Sequence, residues 1–403
     1  MDIQVASRID RLPTYILGQL KQLIYDRRKA GSDVIDLNMG NPSDAPPDPV
    51  VDKIREAVLD PRNSRYSASA GVYNLRRDMA IKYERRWGVE LDPNTEVIAT
   101  IGSKEGFSHM CLALLGPGDC AVVPDPAFQI HTTAVVLAGG SVYLVPVGND
   151  DAFLARIDDV LHHLQPKPKV VMLCFPNNPT GLTVEPGFFE KVVELADRHQ
   201  VMILHDFAYG ETCFDGYQPP SYLQAAGAKE FGCEFTTLSK PYNMAGWRIG
   251  FCCGHRDMIK ALATVKGYYD YGIFQAVQIA AIVAMREGDK HIEQQNLKYA
   301  ARRDILVSGL RKMGWSVEAP RATMFVWAKV KPEHLAAYEG SSNKFCLAMV
   351  DEAEVAMTPG AAFGERGEGY VRMALVENEQ RIRQALRQLD RVLNRGIATA
   401  HVA

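Results

Sequence analysis

The sequence predicts an α/β fold, with a large domain built on a mainly parallel sheet and a smaller α+β domain beside it. Three observations point there. From Val97 onward, short apolar runs alternate with helix-like stretches, the rhythm of consecutive strand–helix units. Those runs are continuous in Val, Ile and Leu, as strands covered on both faces would be. After about Gly288 the rhythm gives way to one long helical stretch, strand-like segments and a final helix.

The elements follow in order. Ile16, Leu17, Leu20, Leu23 and Ile24 share one face of a helix that Gly31 and Ser32 end. A short strand (VIDL) then runs into a Pro-rich loop, and Pro49 sits near the first turn of a helix reaching Leu59. The strand candidates are VIAT from Val97, CAVVP from Cys120, VYLVPV from Val142, VVMLCF from Val170, VMILH from Val201, CEFTTL from Cys233 and RIGFCC from Arg248. KEGFSHMCLALL and GFFEKVVELADRH read as helices between them. Beyond Gly288 come the long helix, strands at SVEAP and TMFVWAKV, and the closing helix ENEQRIRQALRQLDRVLNR. The expected division is an N-terminal arm over 1–12, a small domain from 13–44 and 289–403, and a large domain over 45–288.

Composition narrows the function classes. The 403 residues are 47% hydrophobic and 23% charged, with a net charge of −3, which excludes wholesale disorder. Short basic pairs such as Arg85-Arg86 and Arg302-Arg303 read as solvated helix faces, so no nucleic-acid partner is expected. No GxGxxG follows a strand, which disfavours a nicotinamide dehydrogenase. The eight cysteines form no CxxC pair and no Cys/His metal spacing, so no metal is expected and buried thiols are the favoured reading. The N-terminal run lacks a basic and an apolar signal region, and no membrane-length apolar run occurs, so a reducing cytoplasm is expected.

Polar residues collect where the predicted strands end. VVMLCF runs into Pro176-Asn177-Asn178-Pro179-Thr180-Gly181, VMILH into Asp206, CEFTTL into Ser239-Lys240, and VIAT into Gly102-Ser103 at a helix start. In an open parallel sheet the carboxyl ends of the strands share one crevice. Ser103 reads first as a plain N-cap, and on local sequence alone the anion site at a helix N-terminus is the weaker reading. Asp206, ending a buried strand, needs a partner: a cation, a protonated ring nitrogen or a nearby N–H. Lys240 is either an ordinary loop lysine or a desolvated nucleophile. Arg248 is a surface arginine or an anion ligand. Arg372, flanked by apolar residues in YVRMALV, needs a partner that suits its fork, such as a carboxylate.

Taken together, NNPTG, HDFAY, SKPYNMAGWRIG and YVRMALV resemble the class I and II aminotransferases, pyridoxal-phosphate enzymes of fold type I. The motifs occur in the family's order across nearly the whole chain. The resemblance implies that Lys240 holds pyridoxal 5'-phosphate covalently and moves the substrate Cα proton, and that Asp206 partners the pyridine nitrogen. Asn178 and Tyr209 would hydrogen-bond the ring's phenolic oxygen, and Phe128 would stack on the ring. Gly102, Ser103 and Lys104 at the helix start, with Thr237, Ser239 and Arg248, would hold the phosphate. Tyr66 would reach the phosphate from a neighbouring subunit, which implies a homodimer with shared active sites. Arg372, with Asn178 and the backbone at Gly40, would clamp the substrate carboxylate. Tyr15 and Tyr269 would line the side-chain pocket.

LPTYILGQL and KGYYDYGIFQAVQIAA look similar to a bacterial alanine (glutamate–pyruvate) subgroup. The implied activity is ping-pong transamination between an L-amino acid and a 2-oxo acid, alanine and 2-oxoglutarate first. LL-diaminopimelate or aspartate transamination, or a lyase on the same fold, are the alternatives.

Overall fold

A computed structural model describes residues 3–13 and 15–400, with side chains to residue 394. Among the described residues, seven strands form the central sheet: β1 (Val97–Thr100), β2 (Cys120–Asp125), β3 (Ser141–Pro146), β4 (Val170–Cys174), β5 (Met202–Asp206), β6 (Gly232–Thr237) and β7 (Gly250–Gly254). Their order across the sheet is β1-β7-β6-β5-β4-β2-β3. All run parallel except β7, which is antiparallel to both β1 and β6.

Both faces of the sheet are covered, as the continuous apolar runs require. Val97, Ala99, Val171, Leu173 and Ile203 point into one apolar cluster. Their chain neighbours Ile98, Val170, Met172 and Leu204 point into another on the opposite face. This is the period-two alternation of a pleated strand with apolar packing on each side. Each fully buried aliphatic or aromatic side chain contributes roughly 1.5–3 kcal/mol, so the central strands hold the sheet firmly.

A third cluster gathers around Phe325, Val371 and Leu389. It packs a four-stranded antiparallel sheet, containing Phe325–Lys329 and Tyr370–Ala374, under the helices Asp289–Lys312 and Glu379–Ala400. Ile35–Asp36 pairs in parallel with Val355–Ala356, which ties the N-terminal segment to the C-terminal one.

Two strand expectations are corrected. RIGFCC begins its strand at Gly250, and Arg248 precedes it in the left-handed region at φ 55°. Only Ser316–Val317 of SVEAP is strand. All eight cysteines are free thiols, seven of them buried. No helix among the described residues is long and apolar enough to cross a membrane.

Candidate active site

Four loops meet at the carboxyl edge of the sheet. Asp206 ends β5, Asn178 follows β4, Ser239 and Lys240 follow β6, and the helix Ser103–Leu114 follows β1. Arg248 joins them because β7 is antiparallel: its start lies where the other strands end. Gly250 pairs with both Thr100 and Thr237, drawing these ends together. A Cβ on Gly250 would lie 2.6 Å from the Ser103 nitrogen, so only glycine lets the helix start approach so closely.

Asp206 is almost fully buried, and its Oδ2 lies 3.0 Å from His131 Nε2. His131, also buried, sits on the helix Ile130–Leu137 with its ring 5.0 Å from that of Phe107. With Asp206 ionised, His131 carries its proton on Nε2 and donates it. The other Asp206 oxygen accepts the Ala208 N–H at 3.2 Å. A buried carboxylate so held is fixed in position.

Lys240 is half-buried and its Nζ donates to the Gly40 carbonyl at 2.6 Å. Burial, then the cations of Arg372 and Arg248, lower its pKa to about 8, against the opposing pull of Asp206. The loop lysine is therefore the desolvated one.

Asn177 shapes the next loop. Its Oδ1 accepts from the Thr180 N–H and hydroxyl at 3.1 and 2.7 Å, and its Nδ2 donates to the Cys174 carbonyl. That fold turns Asn178 toward Arg372, whose Nη1 donates to Asn178 Oδ1 at 2.7 Å. Arg372 Nη2 donates to the Asn38 carbonyl at 3.1 Å, with Thr358 Oγ1 at 3.5 Å.

Arg372 itself is buried between two rings, 3.9 Å from the Phe325 centroid and 4.6 Å from that of Phe363. No acidic side chain pairs with it among the described residues, and its Nε has no partner. Burial lowers its pKa to about 10, so it stays charged at neutral pH. A desolvated cation costs several kcal/mol, and a ring face returns only ~0.5–2 kcal/mol. The balance asks for an anion, and a carboxylate fits the fork.

A family model described as aminotransferase class I and II matches residues 32–389. The chain is a class I and II aminotransferase. It is 45% identical to the glutamate-pyruvate aminotransferase AlaC of Escherichia coli (strain K12), over 94% of this chain and 92% of that protein. It is 41% identical to the LL-diaminopimelate aminotransferase of Halothermothrix orenii, over 95% and 97% of the two chains. Among solved structures it superposes on apo-BacF of Bacillus subtilis with a TM-score of 0.90, at 31% identity over 97% and 98% of the chains. The fold is that of the aspartate aminotransferases.

Aminotransferases of this fold depend on pyridoxal phosphate, and the residues present fit it. The phosphate end has a cradle. Gly102, at φ 74°, opens the helix at Ser103, and a Cβ on it would run into the Arg248 guanidinium. Arg248 donates to the Ala245 and Ile101 carbonyls at 3.0 and 3.4 Å, which holds its fork over the free N–H groups of the helix start. Lys104 adds a cation, its pKa lowered by burial and by Arg248. Thr237 accepts the Ser239 N–H and lies 3.0 Å from the Ile249 carbonyl and 2.8 Å from Ser239 Oγ, so it also pins this loop.

The ring end has Asp206, and Phe128 lies half-buried near it, edge-on to His131 at 6.0 Å. Burial pushes the Tyr209 hydroxyl pKa up, with Arg372 pulling the other way. Tyr209 is therefore a neutral donor.

The remaining expected residues stand apart from this cluster. Tyr15 is exposed, with its ring lying on Gly18, and Tyr269 packs its ring 5.1 Å from His109. Tyr66 is 89% exposed and packs on Tyr271. His131, Asn38, Thr358, Phe325 and Phe363 also belong to the site, though no sequence motif marks them. His131 alone had a nearby signal, three positions after Phe128 in DPAFQIH.

Proposed function

We propose that this aminotransferase moves the amino group between L-alanine and 2-oxoglutarate, giving pyruvate and glutamate. The observation that carries the amino-acid reading is Arg372, a buried guanidinium with an unpartnered Nε and no acid beside it. The likeness to the glutamate-pyruvate enzyme supports alanine.

Bound pyridoxal phosphate supplies the aldehyde that takes up the amino group and a ring that receives the Cα electron pair. The chain's own residues do the rest. Arg372 and Asn178 grip the α-carboxylate and fix which Cα bond faces the ring. Lys240, its pKa lowered to about 8 chiefly by burial, would take the Cα proton as the free amine. Asp206, backed by His131, would face the ring nitrogen and favour its protonated form. Tyr209 and Asn178 would donate to the phenolic oxygen, and Phe128 would cover the ring. The helix start behind Gly102, with the N–H groups of Ser103 and Lys104 and with Ser239, Thr237 and Arg248, would hold the phosphate. The first oxo acid leaves before the second enters.

The proposal extends to assembly and place. Tyr66, Tyr268, Tyr269 and Tyr271 are exposed aromatics close in sequence or in contact, a surface suited to a second copy whose phosphate Tyr66 would reach. The domain division at 44/45 and 288/289 and a cytoplasmic setting belong to the same reading.

LL-diaminopimelate is the second reading, favoured by several relatives of that name at 38–41% identity. An amino-donor screen with 2-oxoglutarate separates them. Alanine should yield pyruvate. Turnover of LL-diaminopimelate or aspartate with no pyruvate from alanine would overturn the proposal, and ammonia or carbon dioxide released without an acceptor would mark a lyase.

A further inference from the structure

Away from the reacting groups, one buried charged cluster joins two of the site's loops. Lys82 projects from the helix Tyr73–Trp87 and is only 3% exposed. Its Nζ donates to the Tyr242 hydroxyl and lies 2.7 Å from Glu211 Oε2. Tyr242 stands two residues after Lys240, and Glu211 two residues after Tyr209. Both are buried.

Each contact is built in rather than incidental. Tyr242 is fully buried, and a Cβ on Gly288 would collide with its ring, so that glycine leaves it room. Glu211 also faces Arg86, 3.2 Å from its Oε1, and its carbonyl accepts from Asn296 at 2.9 Å. The Tyr209 turn is closed by the Thr212 N–H donating to the Tyr209 carbonyl at 3.1 Å. A lysine this deep needs a matched acceptor set, and here the set spans the two loops that present the lysine and the tyrosine of the site.

We propose that Lys82 is a positioning residue for Lys240: it clamps the Lys240 loop, through Tyr242, to the Tyr209 loop, through Glu211. The proposal rests on Lys240 being the cofactor lysine, and nothing in it requires Lys82 to touch substrate or cofactor. The groups facing Lys240 are Arg372, Arg248 and Asp206; those facing Lys82 are Glu211, Arg86, Asp289 and Tyr242. Loosening the clamp admits water to Lys240 and returns its titration toward that of an ordinary lysine.

The test uses the full chain with its cofactor removed. Acylation of Lys240 by acetic anhydride is followed against pH by peptide mass spectrometry, so the readout stands even if Lys240 proves not to hold the cofactor. Tyr242→Phe removes the hydroxyl to which Lys82 donates without changing charge, leaving only the ring 4.6 Å from Lys82 Nζ. It should raise the Lys240 midpoint by at least about half a pH unit and, once reloaded, lower kcat more than it changes KM. The charge-neutral double variant Lys82→Met/Glu211→Gln should do the same, and its melting temperature measures any structural cost separately. If both variants keep the wild-type midpoint and kcat, whatever their melting temperatures, Lys82 does not position Lys240. Should the double variant fail to fold, Tyr242→Phe alone decides.

Discussion

His131 Nε2 and Asp206 Oδ2 lie 3.0 Å apart, both in the interior, although 75 residues separate them in the chain. His131 is the side-chain partner that holds the Asp206 carboxylate in place in the interior. A charge-assisted hydrogen bond contributes ~1.5–3 kcal/mol, so His131→Phe should lower kcat about tenfold to a hundredfold. Asp206→Asn should cost more, about 10²–10³-fold or beyond, because the charge itself goes. Steady-state kinetics on both variants check this. Wild-type kcat in His131→Phe would remove His131 from the account.

Arg372 should set affinity for every amino donor alike. Arg372→Lys keeps the charge and loses the planar fork that reaches Asn178 and Asn38. KM for alanine and for any other donor should rise at least about tenfold, with kcat less affected. A donor whose KM is unchanged would be one that does not present its carboxylate to Arg372.

Lys240 has a pKa near 8, below the ordinary lysine value of 10.5. Its folded-state pKa is depressed, so between these values the unfolded chain binds more protons than the folded one. Stability of the cofactor-free protein should therefore rise with pH across about 8 to 10.5 relative to Lys240→Met, and urea denaturation at several pH values reads the difference. The neighbours give signs as well. Arg372→Met removes a cation that disfavours the ammonium and should move the Lys240 midpoint up; Asp206→Asn should move it down.

The phosphate cradle depends on absent side chains. Gly102→Ala puts a Cβ at a positive φ and against Arg248. Cofactor affinity should fall about 5- to 30-fold, since the strain of ~1–2 kcal/mol falls on the anion site itself. Titration followed by cofactor absorbance measures it, and affinity equal to wild type would show that Arg248 can move aside without loss.

The central sheet was legible because its strands are apolar on both faces, a signal that lies within each strand. The edge residues Asn178, Asp206 and Lys240 are legible because each ends such a strand or follows it within a few residues. Arg248 was misread as the start of a strand because RIGFCC is apolar throughout; the left-handed turn at Arg248 and the reversed direction of Gly250–Gly254 leave no local mark. His131 and Lys82 were invisible for a different reason. Their meaning lies in partners 75 and 160 residues away, and a buried His or Lys looks like any helix residue until those partners are in place. Tyr66 differs again, since under the proposed dimer its partner would belong to a second copy.

The assignment of Lys240 is tested most directly by reducing the pyridoxal-phosphate-loaded protein with borohydride and mapping the modified peptide. The account predicts a single phosphopyridoxyl group on Lys240, and no transamination by Lys240→Ala. Label on another lysine, or turnover retained in Lys240→Ala, would contradict it.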